Sequence, residues 1–313
     1  MEYRQLGRSG LTVSVVGLGC NNFGGSRSSE HVAAYGSLDL DRTRAAVDAA
    51  FDAGVTFFDT ANIYGKGGSE RFLGQILKDR RDEVVIATKW GGGEAPGTAW
   101  GSRRYIRQAV EASLRRLDTD FIDLYQLHWQ DPLTPITETL AALDELVHQG
   151  KVRYIGSSHF AAWEVIDVDW TARAHGYERM VSAQNHYNLL ERDAERELIP
   201  ACLHAGVGLL PYFPLASGLL TGKYSRGGAP PQGARLSGKP IDEATYDRLE
   251  ALERFAGDRG HTMLELAVAG LAARPAVASV ITGATSPEQI LANVAGAEWR
   301  LGDDDLAALD ATP

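Results

Sequence analysis

The sequence predicts a parallel α/β barrel, and three observations carry that expectation. Short runs rich in Val, Ile and aromatics alternate with longer stretches of helical periodicity, which is the pattern of a parallel sheet with crossover helices. There are eight such runs, the number that closes a (β/α)8 TIM barrel of roughly 250 residues plus insertions. The glycine fingerprint of an open dinucleotide-binding sheet is incomplete. Gly17 and Gly19 begin it, but Asn22 stands where the third glycine belongs and no helical pattern follows directly. The 313 residues are therefore expected to form one domain, 1–313, with an N-terminal β-hairpin and long loops at the strand ends.

The elements follow in order. "YRQLGRSGLTVS" is a small hairpin whose turn is "GRSG". The strand candidates are 13–19, 55–59, 83–89, 121–128, 152–158, 180–185, 206–212 and 277–283. Residues 41–54 carry apolar positions at helical spacing and a glycine stop. Residues 102–118 begin with a serine cap and place Ile106, Val110, Leu114 and Leu117 on one face. Residues 134–151 begin with Thr-Pro and end at a glycine, and 286–296 combine a serine cap with a proline at the first helical position. The longest irregular stretch, 213–243, is rich in Gly and Pro, and connections of that length are functional or disordered.

Composition narrows the function classes. With 44% hydrophobic and 23% charged residues the chain is an ordinary globular one. Its formal charge of −10 and the lack of a long basic run argue against nucleic acid as a partner. The two cysteines, Cys20 and Cys202, are too few for a disulfide framework and fit a reducing compartment. The first residues are polar, and no apolar run reaches the roughly 20 residues that span a bilayer. A soluble cytoplasmic protein with no membrane partner is expected; its oligomeric state is not legible.

In a barrel, polar residues at the carboxyl ends of strands read as the active site. The second strand candidate ends at Asp59, the third at Lys89 and the fourth at His128, and Tyr64 lies in the loop after the second. Singly, each has a structural explanation: a loop cap, a solvated lysine, a core histidine, a tyrosine packed over a turn. Together, in matching positions of consecutive units, they make a proton-transfer site. A free phenol has a pKa of about 10, so Tyr64 needs a cation held beside it, and Lys89 is expected to lower its pKa. Metal-assisted hydrolysis is disfavoured, because only His128 and Asp59 are ligand types there and Lys89 would repel a cation.

These segments resemble the aldo-keto reductase superfamily over nearly the whole chain. "FFDTANIYGKGGSE", "VIATK", "DLYQLH", "GKVRYIGSSHF", "PLASGLLTGKY" and "GATSPEQILAN" match its motifs in order and spacing. The early and late segments are most similar to the branch of the potassium-channel β subunits and their bacterial relatives. The resemblance implies a (β/α)8 barrel that binds extended NADP(H) and reduces an aldehyde or ketone. The implied tetrad is Asp59, Tyr64, Lys89 and His128, with Tyr64 as the proton donor.

It also implies the cofactor contacts. Gly19, Cys20, Asn21 and Asp59 would lie along the ribose and nicotinamide. Ser158 and Gln184 would bind the carboxamide, Tyr212 would stack on the ring, and Phe213 would lie beside it. Pro214, Leu215, Ser217 and Gly218 would face the pyrophosphate, with Lys223 and Arg235 adding charge. Gly283, Thr285, Gln289 and Asn293 would hold the adenosine half, where a helix N-terminus favours an anion. Two departures stand out. His159 replaces the usual Asn after Ser158, though its ring can still hydrogen-bond the carboxamide. Gly283 and Gln289 stand where many members clamp the 2′-phosphate with Lys and Arg, so NAD(H) stays compatible alongside NADP(H). Tyr35, Trp90 and Trp129 flank the site and are candidates for an apolar substrate pocket. A cofactor-holding regulatory or assembly subunit with slow turnover is the competing reading.

Overall fold

In the computed structural model, which describes residues 1–24, 38–92, 97–228, 235–236 and 240–312, eight parallel strands follow one another around a barrel. A two-stranded antiparallel hairpin comes first, β1 (Tyr3–Gln5) and β2 (Thr12–Ser14), with Tyr3 opposite Ser14. The barrel strands are β3 (Val16–Gly19), β4 (Phe57–Asp59), β5 (Val85–Trp90), β6 (Ile122–Leu127), β7 (Val152–Ser158), β8 (Ser182–His186), β9 (Gly208–Tyr212) and β10 (Val280–Gly283). Their order is β10-β3-β4-β5-β6-β7-β8-β9. Closure between β9 and β10 rests on a parallel bridge from Leu209 to Val277.

One expectation is corrected here. The continuous apolar run 13–19 is two strands. The chain leaves the hairpin after Ser14 and enters the barrel at Val16. Ser14 marks the break, because its hydroxyl donates to the Val16 carbonyl and accepts from the backbone of Thr56.

The helices are α1 (Leu40–Asp52), α2 (Gly68–Leu77), α3 (Arg103–Leu117), α4 (Ile136–His148), α5 (Ala162–His175), α6 (Leu198–Ala205), α7 (Glu243–Gly257), α8 (Met263–Ala272), α9 (Pro287–Gly296) and α10 (Asp303–Asp310). The serine caps at Ser102 and Ser286 are present. Asp39 caps α1, so that helix begins one residue earlier than its sequence pattern suggested. Among the described residues no helix is long and apolar enough to cross a membrane.

Two cores position the site. Inside the barrel, Phe57, Val85, Ala87, Leu124, Leu210 and Ile281 form one apolar cluster, closed from the amino-terminal end by Leu6, Leu11 and Val13 of the hairpin. Between barrel and helices runs the larger core, which includes Ile86, Trp90, Tyr125 and Leu127. Side chains alternate across a strand, so on β5 Val85, Ala87 and Lys89 face inward while Ile86, Thr88 and Trp90 face the helices. That alternation lifts polar residues above an apolar floor. A smaller core joins Leu249, Leu252 and Phe255 of α7 to Leu189 and Leu220. It anchors the start of the 213–243 stretch, which contains a 3-10 segment over Ala216–Thr221.

Candidate active site

Asp59 is the last residue of β4, and strand register sets its surroundings. It pairs with Gly19 on one side and Ala87 on the other, and Lys89 pairs with Gln126. The Lys89 ammonium is fully buried. It donates to Asp59 Oδ2 at 2.6 Å, to the Thr60 carbonyl at 2.9 Å and to the Tyr64 hydroxyl at 3.4 Å. An ammonium has three protons, and these three partners use all of them. Asp59 Oδ1 accepts from Gln184 Nε2 at 2.8 Å and from Gln126 Nε2 at 3.4 Å. The buried charge pair is therefore hydrogen-bonded on both sides, as a pair removed from water must be.

Tyr64 opens a tight turn, Tyr64–Gly67, in which Gly65, Lys66 and Gly67 all have positive φ, at 55°, 53° and 78°. Glycine is required at 65 for a second reason: a β-carbon there would lie 2.7 Å from the Phe23 carbonyl oxygen. The far end of the turn is pinned. Thr60 Oγ1 donates to Ser69 Oγ, which donates to the Cys20 carbonyl. The buried Glu70 accepts from Thr88 Oγ1 at 2.7 Å and from Arg116 Nε at 2.5 Å. The phenol is thus held over the mouth, half-buried, with its ring edge toward His128 at 6.2 Å between centroids.

Electrostatics separate the roles. Burial would push the Lys89 ammonium down, but Asp59 and Tyr64 outweigh it and the net direction is up, so Lys89 is a fixed cation. Burial pushes the Tyr64 phenol up, and the Lys89 charge pulls it back only in part. The expectation of a lowered phenol pKa is therefore corrected: Lys89 acts in that direction, but desolvation outweighs it. Burial, then the charges of Lys89 and His159, holds His128 well below 6.5, so its imidazole is neutral. Its Nδ1 is buried and has no hydrogen-bond partner among the described residues, a polar atom that the fold leaves unspent.

A band of rings extends from His128 around the mouth. Trp129 stacks on His128 at 3.8 Å and on His159 at 4.7 Å, and His159 lies 5.0 Å from Tyr212. His186 stacks on Tyr212 at 5.3 Å and meets Phe213 edge-on at 5.8 Å. His159 sits at φ +59°. Its Nδ1 is 3.0 Å from the His128 carbonyl and 3.0 Å from Ser158 Oγ. The carbonyl can only accept, so we assign the proton to Nδ1, which leaves the Nε2 lone pair for another donor.

The remaining expected residues fall along the strand ends. Gly283 pairs with Gly19, and Ser158 pairs with Gln184. Cys20 is buried, and its backbone N–H donates to the Asp59 carbonyl; Asn21 beside it is half-buried. Gln184 is turned inward, toward Asp59. Pro214 and Leu215 lead into a stretch where Ala216, Ser217 and Gly218 have φ of 46°, 58° and 97°. The Lys223 ammonium lies 2.7 Å from where a β-carbon on Gly218 would sit. Burial and then the Arg235 charge lower the Lys223 pKa, so the two cations share this loop. Gln289 Oε1 accepts from the N–H and hydroxyl of Thr285, at 2.9 and 3.1 Å, at the start of α9. Asn293 Nδ2 reaches the Gly283 carbonyl at 3.5 Å.

Trp90 is placed elsewhere. It is fully buried on the helix side of β5, stacked on Tyr125 at 4.3 Å, and its indole N–H donates to the Trp100 carbonyl. Trp129 does face the mouth. Tyr35 lies outside the described residues, as does most of the loop 21–41. Sequence reasoning missed Gln126, Thr60, His186 and Ser182, whose hydroxyl donates to Gln126 Oε1 at 3.2 Å. Gln126 and His186 carried a signal, since each is two residues from an expected site residue on the inward face of its strand.

The family model of the aldo/keto reductases matches residues 15–312. The chain belongs to the aldo/keto reductase family. Curated relatives include a probable voltage-gated potassium channel subunit beta of Oryza sativa subsp. japonica, 35% identical over 94% of this chain and 90% of the relative. An uncharacterised oxidoreductase of Bacillus subtilis is 37% identical over 99% of this chain and 95% of its own. Versiconal hemiacetal acetate reductase of Aspergillus parasiticus is 33% identical, with 99% and 96% covered. This aldo/keto reductase is accordingly an oxidoreductase of a family that acts on carbonyl groups and binds NAD(P)H.

Proposed function

We propose that this protein reduces an aldehyde or ketone to its alcohol with NADPH, and that Tyr64 supplies the proton. The observation that carries the reading is the saturated Lys89 ammonium, with one proton on Asp59, one on the Thr60 carbonyl and one directed at the Tyr64 hydroxyl.

The residues at the strand ends fit a dinucleotide. Lys223 and Arg235 share the loop at Ser217 and Gly218, which suits phosphate oxygens. The Ser286-capped N-terminus of α9 adds an anion-favouring end beside Thr285, Gln289 and Asn293. Gly19 and Gly283, paired on adjacent strands, leave no side chain where the ribose would pass. Ser158, His159 and Gln184 would hold the carboxamide, with Tyr212 and Phe213 against the ring and Cys20, Asn21, Pro214 and Leu215 lining the path. Bound there, a reduced nicotinamide supplies hydride.

The protein's own part is proton handling and orientation. A phenol held above its ordinary pKa is fully protonated at neutral pH, the state required of a general acid. As negative charge grows on the carbonyl oxygen, Tyr64 gives up its proton, and Lys89, 3.4 Å from the phenolic oxygen, stabilises the phenolate. Asp59 keeps the ammonium aimed. The neutral His128 imidazole orients the carbonyl by hydrogen bonding without adding charge. Trp129, stacked on His128, offers an apolar wall to the substrate.

One screen tests this: loss of reduced-nicotinamide absorbance across a panel of aldehydes and ketones, with NADPH and NADH in parallel. Turnover on several carbonyls, faster with NADPH, is expected. NADP(H) that stays tightly bound with no multiple turnover would favour the competing reading, a cofactor-holding subunit, for which the potassium-channel relatives speak.

A further inference from the structure

We propose that Asn188 is a positioning residue for the cofactor: its side-chain amide holds the Tyr212–Phe213 turn and the tautomer of His186, and so fixes where the Tyr212 ring stands. The inference rests on the reading of Tyr212 as the ring that packs on the nicotinamide. Asn188 lies two residues beyond the end of β8 and is fully buried. Its Oδ1 accepts from the backbone N–H groups of Leu190 and Glu191, both at 2.9 Å. Its Nδ2 donates to the Phe213 carbonyl at 3.1 Å and lies 3.3 Å from His186 Nε2. A primary amide has two donors and an oxygen that accepts twice, so every site of the side chain is spent.

These partners fix the amide and then the imidazole. The Leu190 and Glu191 N–H groups can only donate, which puts the amide oxygen on their side and the NH2 group on the other. The NH2 group can only donate in its turn, so His186 Nε2 must accept. Burial lowers the His186 pKa, so at neutral pH the ring is neutral and its one proton sits on Nδ1.

The aromatic turn needs such a hold. Phe213 has φ +53°, and Ala216 and Ser217 follow at +46° and +58°, a left-handed conformation that non-glycine residues keep only where their surroundings impose it. The Phe213 carbonyl is gripped twice, by Asn188 Nδ2 and by the Ala216 N–H at 2.9 Å. His186 and Tyr212 are register partners on β8 and β9, and their rings lie 6° from parallel with centroids 5.3 Å apart. Phe213 meets the Tyr212 ring edge-on at 5.1 Å. One amide thus bonds to two residues whose rings border Tyr212. Closing the 188–191 turn requires only Oδ1; the NH2 group, directed at the end of β9, serves the aromatic turn.

Asn188→Asp tests the proposal. It is nearly isosteric, keeps the oxygen to which Leu190 and Glu191 donate, and sets a carboxylate oxygen against the Phe213 carbonyl. NADPH affinity, read by fluorescence titration of the full chain, should fall about tenfold, the scale of one net hydrogen bond. Tyr212→Ala should weaken binding by itself, and in that background Asn188→Asp should cost less than about twofold, because Asn188 acts through the missing ring. A second readout needs no cofactor. The long-range 15N–1H spectrum of the histidine-labelled full chain should show His186, assigned by its loss in His186→Gln, protonated on Nδ1 in the wild type and on Nε2 in Asn188→Asp. A wild-type His186 protonated on Nε2 overturns the proposal whether or not the variant folds. So does an Asn188→Asp variant that binds NADPH as the wild type does, or that loses as much affinity in the Tyr212→Ala background as alone. Tyr212→Ala that binds NADPH as tightly as the wild type removes the stacking reading itself and the proposal with it, and the tautomer of His186 tells the two failures apart.

Discussion

Replacing Tyr64 by Phe removes one oxygen from the site and leaves the ring. In the structure that oxygen has one described hydrogen bond, from Lys89 Nζ at 3.4 Å, beyond the usual 2.7–3.2 Å range. The contacts that hold the ring persist in Phe, namely the edge contact to His128 at 6.2 Å and the Lys89 charge 5.0 Å from the centroid. Loss of a single long hydrogen bond at a half-buried position should change stability by at most about 1 kcal/mol. The catalytic effect should be much larger. A positioned general acid contributes about 10²–10⁴-fold, which at 1.36 kcal/mol per tenfold is about 3–5 kcal/mol of transition-state stabilisation. The assay pairs steady-state turnover on a carbonyl with a tryptophan-fluorescence titration of the cofactor and a thermal melt. The expected pattern is a collapse of kcat with cofactor affinity and melting temperature almost unchanged. A kcat within about threefold of the wild type, about 0.6 kcal/mol on this scale, would remove Tyr64 from the proton transfer.

Three further outcomes follow from the same geometry. Lys89→Met or Asp59→Asn alone leaves a buried charge without its partner and should cost about 3–5 kcal/mol in urea unfolding, whereas the double variant should recover a large part of the loss; a strictly additive double variant would contradict the pairing. Burial depresses the His128 pKa below 6.5 in the folded state, so the unfolded chain binds the extra proton first as pH falls. Stability contributed by the neutral imidazole should be present above pH 6.5 and be lost as pH drops toward the folded value, by at most about 1.4 kcal/mol per pH unit. His159 and His186 are shifted the same way, so His128→Asn should flatten the melting-temperature profile between about pH 5.5 and 6.5 only in part, and an unchanged slope would count against a buried neutral His128. Burial raises the Cys20 thiol and pushes Cys202 up to about 12, so iodoacetamide at neutral pH should label neither cysteine until denaturant is added, as intact-mass measurement will show.

Much of the fold was legible because a parallel barrel repeats one local pattern. Each strand is a short apolar run and each helix a longer amphipathic one, so existence and order could be read without any long-range information. The break between β2 and β3 could not be read. Val13, Val15 and Val16 are all strand formers, and what divides them is the Ser14 hydroxyl bonding to Val16 and Thr56, a tertiary contact with no signature along the chain. For the same reason Gln184 was assigned to the carboxamide alone. Its bond to Asp59 crosses the barrel between residues 125 apart.

Trp90 is more instructive, because the sequence held the correction. If Lys89 faces the barrel interior, its strand neighbour must face the helices, so Lys89 and Trp90 could not both serve the mouth. Trp129 escapes this constraint by following the end of β6, where alternation no longer applies, and there it stacks on His128. The Tyr64 phenol shows the other limit. Charge types told of a cation beside it and hence of a lowered pKa, but the balance depends on how much water the fold removes from the phenol, and burial is the larger effect here. With desolvation winning, the resting site holds a protonated phenol beside a fixed cation and a neutral imidazole. That arrangement presents a proton donor, the state the proposed reduction of a carbonyl requires of Tyr64.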